Sequence, residues 1–160
     1  MKIMHIIPSL HGGGAEKFAI DLCNELSKEN EVIVCSLYNV TDDMFMVKAL
    51  QNNIRLITLN KKMGLSLSMF FKVYKLIKDE KPDIVNTHLR AFFYSSLAVM
   101  FSGKKFFHTV HNLAQNEGRK TYRRAYKIFF KFFLFCFVNV FDFSSNILLA
   151  RISKSFVNFS

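Results

Sequence analysis

Five short apolar runs, separated by stretches of helical periodicity, constrain this chain more than any other feature. The runs are residues 2–8, 31–38, 54–59, 82–87 and 105–111. The second carries Val32, Ile33, Val34 and Cys35 without a polar break. A strand that is apolar on both sides suits a parallel sheet covered on both faces. Between the runs, residues 15–28 put Phe18, Ala19, Leu22, Cys23 and Leu26 on one helical face, and Asn30 follows as a stop. Residues 65–78 do the same with Leu67, Phe70, Phe71, Tyr74 and Ile77, and residues 91–101 form a third, more uniformly apolar helix. Strands that alternate with helices predict βαβ units with right-handed crossovers, that is, an α/β fold with a doubly wound parallel sheet. No internal repeat or low-complexity linker interrupts the pattern.

In an open α/β sheet, ligands bind beyond the carboxyl ends of the strands. Three such places here hold polar or flexible residues. Ser9 to Glu16 follow the first strand and include Gly12, Gly13 and Gly14; Thr87, His88, Leu89 and Arg90 follow the fourth; His111 and Asn112 follow the fifth. Three glycines ahead of a helix let the backbone come close to a ligand, and a helix N-terminus favours anions. The same glycines also serve a plain strand-to-helix turn. The pattern is neither a dinucleotide fingerprint, since G-x-G-x-x-G and the acidic end of strand two are missing, nor a P-loop, since no G-K-[ST] follows. His108 and His111, three apart in a strand, point to opposite faces, which speaks against a zinc pair. His111 and His88, at strand ends, can either hydrogen-bond a ligand or pack in the core, whereas His5, inside strand one, is expected to be buried and structural.

The net charge is +10, from 22 Lys and Arg against 12 Asp and Glu. Such a balance points to an anionic partner or simply to solubility. Six of the 22 basic residues fall between Arg119 and Lys131. In the helix expected over residues 118–133, Lys120, Arg123, Arg124, Lys127 and Lys131 share a face opposite Tyr122, Tyr126, Phe129, Phe130 and Phe133. That face suits contact with an anionic membrane surface, and equally a solvated surface over a packed one. Zinc-finger, RNP and helix-turn-helix signatures are missing, so nucleic acid is not the expected partner. Cys23, Cys35 and Cys136 form no C-x-x-C pair and read as reduced thiols of a cytoplasmic protein. The most apolar stretch, residues 128–141, contains Lys131 and Asn139 and falls short of the roughly 20 residues of a membrane span.

Residues 1–16, with Lys-Ile-Met-His-Ile-Ile-Pro-Ser-Leu-His-Gly-Gly-Gly-Ala-Glu, resemble the opening of retaining glycosyltransferases of family four, which have the GT-B fold. Pro-Asp-Ile-Val-Asn-Thr-His, ending at His88, and His-Thr-Val-His-Asn, ending at Asn112, resemble that family too, in the same order and spacing. The resemblance covers residues 1–134 and implies the Rossmann-like N-terminal half of such an enzyme, the half that binds mainly the acceptor. It implies that Gly12, Gly13 and Gly14 close towards the donor's diphosphate and that His111 contacts the donor sugar as the catalytic-site histidine. His88, Arg90 and Asn112 then line the acceptor side. It implies no metal and no cofactor, with a nucleotide-sugar as co-substrate and a glycan or lipid-linked molecule as acceptor, in surface polysaccharide synthesis. Lys120, Arg123, Arg124 and Lys127 then face the inner side of the cell membrane.

The tail departs from the family's pattern. Ten of the 19 phenylalanines lie from Phe129 onwards, and residues 135–160 read as a shifted or prematurely ended frame. The family's second, donor-binding domain is expected to be absent, leaving the chain inactive alone. The other expectation is a non-catalytic, membrane-peripheral binding module, or a split subunit completed by a separate donor-domain protein.

Overall fold

The computed structural model describes residues 1–64, 66–109 and 111. Strands β1 (Lys2–Ile7), β2 (Glu31–Ser36), β3 (Arg55–Thr58), β4 (Ile84–His88) and β5 (Lys105–Thr109) form one sheet of order β3-β2-β1-β4-β5, all parallel. The helices are α1 (Gly14–Leu26), α2 (Phe45–Lys48), α3 (Leu67–Glu80) and α4 (Phe92–Ser102), with a single 3-10 turn at Leu89–Ala91.

Alternation along the strands divides the core in two. Met4, Ile6, Ile33, Cys35 and Val85 point to the side where Met69, Val73 and Ile77 of α3 and Ala98 and Val99 of α4 close over them. Ile7, Val32 and Val34 point to the other side, under Ala19, Ile20 and Cys23 of α1 and Met46 of α2. Helices on both faces make the sheet doubly wound, as the apolar runs predict. The chain reverses its winding between β1 and β4, so the loops after these two strands diverge and leave a crevice at their carboxyl ends.

Helix ends follow local chemistry. Asn30 closes α1 through its backbone N–H and its side-chain amide, both donating to Leu26 O at 3.1 and 3.0 Å. Lys81 ends α3 in the left-handed region at φ 51°. At the amino end of the sheet, Lys2 Nζ meets Glu31 at 2.9 Å and Glu80 at 3.2 Å, Arg55 pairs with Glu80, and Asp83 accepts from the Lys2 backbone N–H at 2.8 Å. These partly exposed pairs tie three strands and α3 together at the end opposite the crevice.

Several expected boundaries shift. β5 stops at Thr109 rather than running to residue 111, so His111 belongs to the following loop. β4 begins at Ile84 and reaches His88, because Pro82 cannot donate to the ladder and Asp83 is taken up with Lys2. α3 extends to Glu80, past the expected end at Lys78. α2, only four residues long, has no counterpart in the sequence reading. The helix expected over residues 118–133 and the tail after it lie outside the described residues. Among the described residues no helix is long and apolar enough to cross a membrane.

Candidate functional site

The loop from β1 into α1 is shaped by its glycines. Gly12 has φ +104°, a conformation that side chains resist. Gly13 is the N-cap of α1, extended at φ −164°, and supplies no side-chain cap. Glu16, in the first turn, folds back over it: a Cβ on Gly13 would lie 2.6 Å from Glu16 Oε2. A carboxylate there offsets the partial positive charge of the helix start. Nothing comes within 4 Å of a Cβ built on Gly14, whose surroundings are open.

Beside this loop stands a line of histidines. Register pairs His5 with Asn86 and His88 with Thr109, so His5 and His88 project to the α1 side of the sheet. His5 Nδ1 lies 3.0 Å from His88 Nε2, and His88 Nδ1 lies 2.9 Å from His111 Nε2. His5 and His88 are 1% and 0% exposed, while His111 is half-buried. Phe18 of α1 packs edge-on against His111, ring centres 5.4 Å apart. His111 thus sits against the first turns of α1, next to the glycine loop. His108 projects the other way, with Nδ1 3.0 Å from the Thr87 hydroxyl and its ring 4.8 Å from that of Phe92. The opposite-face expectation for His108 and His111 therefore holds in the structure.

Burial keeps these rings neutral. Loss of solvation pushes His5 down to about 4 and His108 down to about 4. It pushes His88 down to about 3, with the neighbouring histidines adding to the effect. His111 is also lowered by burial, but the Glu16 carboxylate pulls the other way. At neutral pH the line offers N–H groups and lone pairs, and no fixed positive charge.

His88, expected to touch the acceptor, is fully enclosed between His5 and His111. It stands behind His111 in the line. After it, Leu89 takes φ 51°, an unfavourable angle for a branched side chain, of the kind that gathers at functional sites. Arg90 follows, exposed at the edge of the crevice. Asn112 and the basic residues Lys120, Arg123, Arg124 and Lys127 lie outside the described residues.

An open cleft of about 500 Å³ adjoins the glycine loop, lined by Ser9, His11, Tyr38, Asn39 and Lys61 among others. Lys61, 6% exposed, donates to Lys62 O at 3.0 Å and to Gly64 O, and its ammonium lies over the rings of Tyr38 and Tyr94 at 5.0 and 5.2 Å. Lys61 stands just past the carboxyl end of β3, where the sequence alone does not single it out. Among the described residues no group of His, Cys, Asp or Glu is arranged to hold a metal.

With the glycine loop, His88 and His111 in these places, the comparison with known proteins becomes specific. Glycosyltransferase Family 4 matches residues 12–142. The chain belongs to that family. It is 33% identical over 90 residues to the GalNAc-alpha-(1->4)-GalNAc-alpha-(1->3)-diNAcBac-PP-undecaprenol alpha-1,4-N-acetyl-D-galactosaminyltransferase of Campylobacter jejuni. That alignment covers 52% of this chain and 24% of the relative. Among solved structures, a glycosyltransferase from Rickettsia africae is 25% identical with a TM-score of 0.56, over 78% of this chain and 33% of that one. A putative UDP-N-acetylglucosamine 2-epimerase from Listeria monocytogenes shares the fold at 19% identity and a TM-score of 0.54, over 79% of this chain and 36% of that one. The chain therefore spans about a quarter to a third of these proteins.

Proposed function

We propose that this family 4 domain is the acceptor-side half of an enzyme that transfers a sugar from a nucleotide-sugar to a glycan or lipid-linked acceptor in surface polysaccharide synthesis. The observation that carries this reading is the placement of His111. Held by His88 at 2.9 Å, it stands beside the glycine loop at the crevice of the sheet. The open space around Gly12 and Gly14 leaves a donor's diphosphate room to approach backbone N–H groups at the start of α1, once Glu16 swings away from Gly13. Stabilising the leaving diphosphate in this way lowers the barrier to transfer. His111, neutral and half-buried, offers a hydrogen bond to the donor sugar at the same edge. The open cleft beside Tyr38, Ser9 and Asn39 offers aromatic and polar side chains to an acceptor's sugar rings. Arg90, exposed just past the carboxyl end of β4, is kept on the acceptor side in this reading. The Campylobacter jejuni relative, named for a lipid-linked glycan on a diphosphate, has an acceptor of this kind.

Positioning two substrates requires both walls of a cleft, and misplacement alone costs orders of magnitude in rate. The test is a screen of nucleotide-sugars and undecaprenyl-diphosphate-linked glycans against the 160-residue chain, with and without a family 4 donor-binding domain supplied in trans. Transfer is expected only with the added domain, and His111→Ala is expected to lower it at least about tenfold, the loss of one hydrogen bond in a transition state. Robust turnover that is indifferent to His111→Ala would remove the reading.

A further inference from the structure

The line of three imidazoles allows only two arrangements of its protons. Each neutral ring has one N–H and one lone pair. His88 uses both its nitrogens, one towards His5 and one towards His111, so it must accept on one side and donate on the other. The two hydrogen bonds therefore run in the same direction. Running outwards, His5 Nδ1–H donates to His88 Nε2, His88 Nδ1–H donates to His111 Nε2, and His111 carries its proton on Nδ1. Running inwards, His111 donates from Nε2, and His5 must carry its proton on Nε2.

Two observations select the outward direction. His5 Nε2 is buried with no hydrogen-bond partner among the described residues. Inward running would strand an N–H there, whereas outward running leaves only a lone pair, and orphaned buried donors are the rarer of the two. At the other end, the negative charge of Glu16 acts on His111. It favours the arrangement whose aligned N–H dipoles point their positive ends towards it. The half-charge of the α1 N-terminus opposes this, but a full carboxylate charge outweighs it.

We propose that His5 and His88 are positioning residues whose hydrogen-bonded line holds His111 in the Nδ1–H form, so that it presents a donor, not a lone pair, at the glycine loop. The group that His111 meets is then an acceptor oxygen, of a sugar hydroxyl or a phosphate. His111 does not draw a proton from it as a base. This deepens the transferase reading and rests on it only for the identity of the ligand.

Long-range 1H–15N correlation spectra of the 15N-labelled full chain at neutral pH test the proposal without donor or acceptor. The expected result is a protonated Nδ1 and a bare Nε2 on His111. A protonated Nε2, or the averaged signals of an imidazole free in water, overturns it. His88→Gln keeps much of the volume but can turn either end of its amide to His111. In that variant the proton of His111 is expected to distribute over both nitrogens; His111 still held as Nδ1–H in the folded variant also overturns the positioning role. Should that variant not fold, the wild-type spectrum decides alone. Because no substrate is present, a failed transfer assay and a wrong tautomer are separate results.

Discussion

Acidification is the perturbation that the histidine line makes most costly. His5 is pushed from an ordinary 6.5 down to about 4, and His88 from 6.5 down to about 3, chiefly by burial. A histidine whose folded value is depressed stays neutral in the fold while its unfolded counterpart takes up a proton. Its contribution to stability is therefore complete above about pH 6.5 and is lost as pH falls towards the folded values. At about pH 5 each of these two rings has lost about 2 kcal/mol, and His108, also pushed down to about 4, loses as much, so the three together remove about 6 kcal/mol. That is a large share of the roughly 5–15 kcal/mol that holds an ordinary domain folded. The loss falls above the range in which Glu80, held below its usual value by Arg55 and Lys2, gives up its own contribution. The assay is urea unfolding followed by far-ultraviolet circular dichroism, since the chain has no tryptophan to report by fluorescence. For a slope of about 2 kcal/mol/M, the midpoint should drop by about 3 M between pH 7 and pH 5. His88→Gln should remove roughly a third of that dependence. A midpoint that stays level across this interval refutes the buried, neutral line.

Two further outcomes follow from local geometry. In the glycine loop, Gly12→Ala should destabilise the fold by about 1–2 kcal/mol because of its φ of +104°. Gly13→Ala should cost less than about 1 kcal/mol, since its methyl meets only the flexible end of Glu16. Gly14→Ala, with open space around it and a place in α1, should be neutral or stabilising by up to about 1 kcal/mol. Thermal unfolding ranks the three, and a ranking with Gly14→Ala as the most costly contradicts this account of the loop. Cys23 and Cys35, each 0% exposed, have their thiols pushed up to about 12 by burial. Neither should react with iodoacetamide at about pH 8 until urea unfolds the chain. Peptide mass mapping, which separates these two from Cys136, checks this, and fast labelling of either in the native state is the contrary result.

The sheet was legible in the sequence because its strands are continuous apolar runs, and a run such as Val32 to Cys35 has few other uses. Its helices were legible where they were long enough to repeat a face: α1 and α3 show their buried stripes directly. α2 was not, since a helix of four residues has no period to read. Strand ends were less sharp than strands. Nothing in His-Thr-Val-His shows that β5 ends at Thr109, because β-branched residues continue past it. The candidate site was half legible. His88, His111 and the glycines stood out as polar or flexible residues at strand ends. The line joining His5, His88 and His111 did not, because it depends on the register of β1 against β4, which brings together residues 83 apart in the chain. Lys61 was hidden for the same reason: its rings come from Tyr38 and Tyr94, on separate elements.

The folded-back carboxylate of Glu16 has a consequence for selectivity. An anion arriving at the start of α1 has to evict one that is already there and tethered by a single helical turn. A tethered group competes at an effective concentration on the order of millimolar or higher. A simple monoanion, with little to offer beyond one charge, gains little by displacing a group of the same charge. A diphosphate, with several charges and several oxygens for the backbone of the glycine loop, can displace it. If the loop receives the donor's diphosphate as proposed, one side chain thus sets the threshold for admitting an anion.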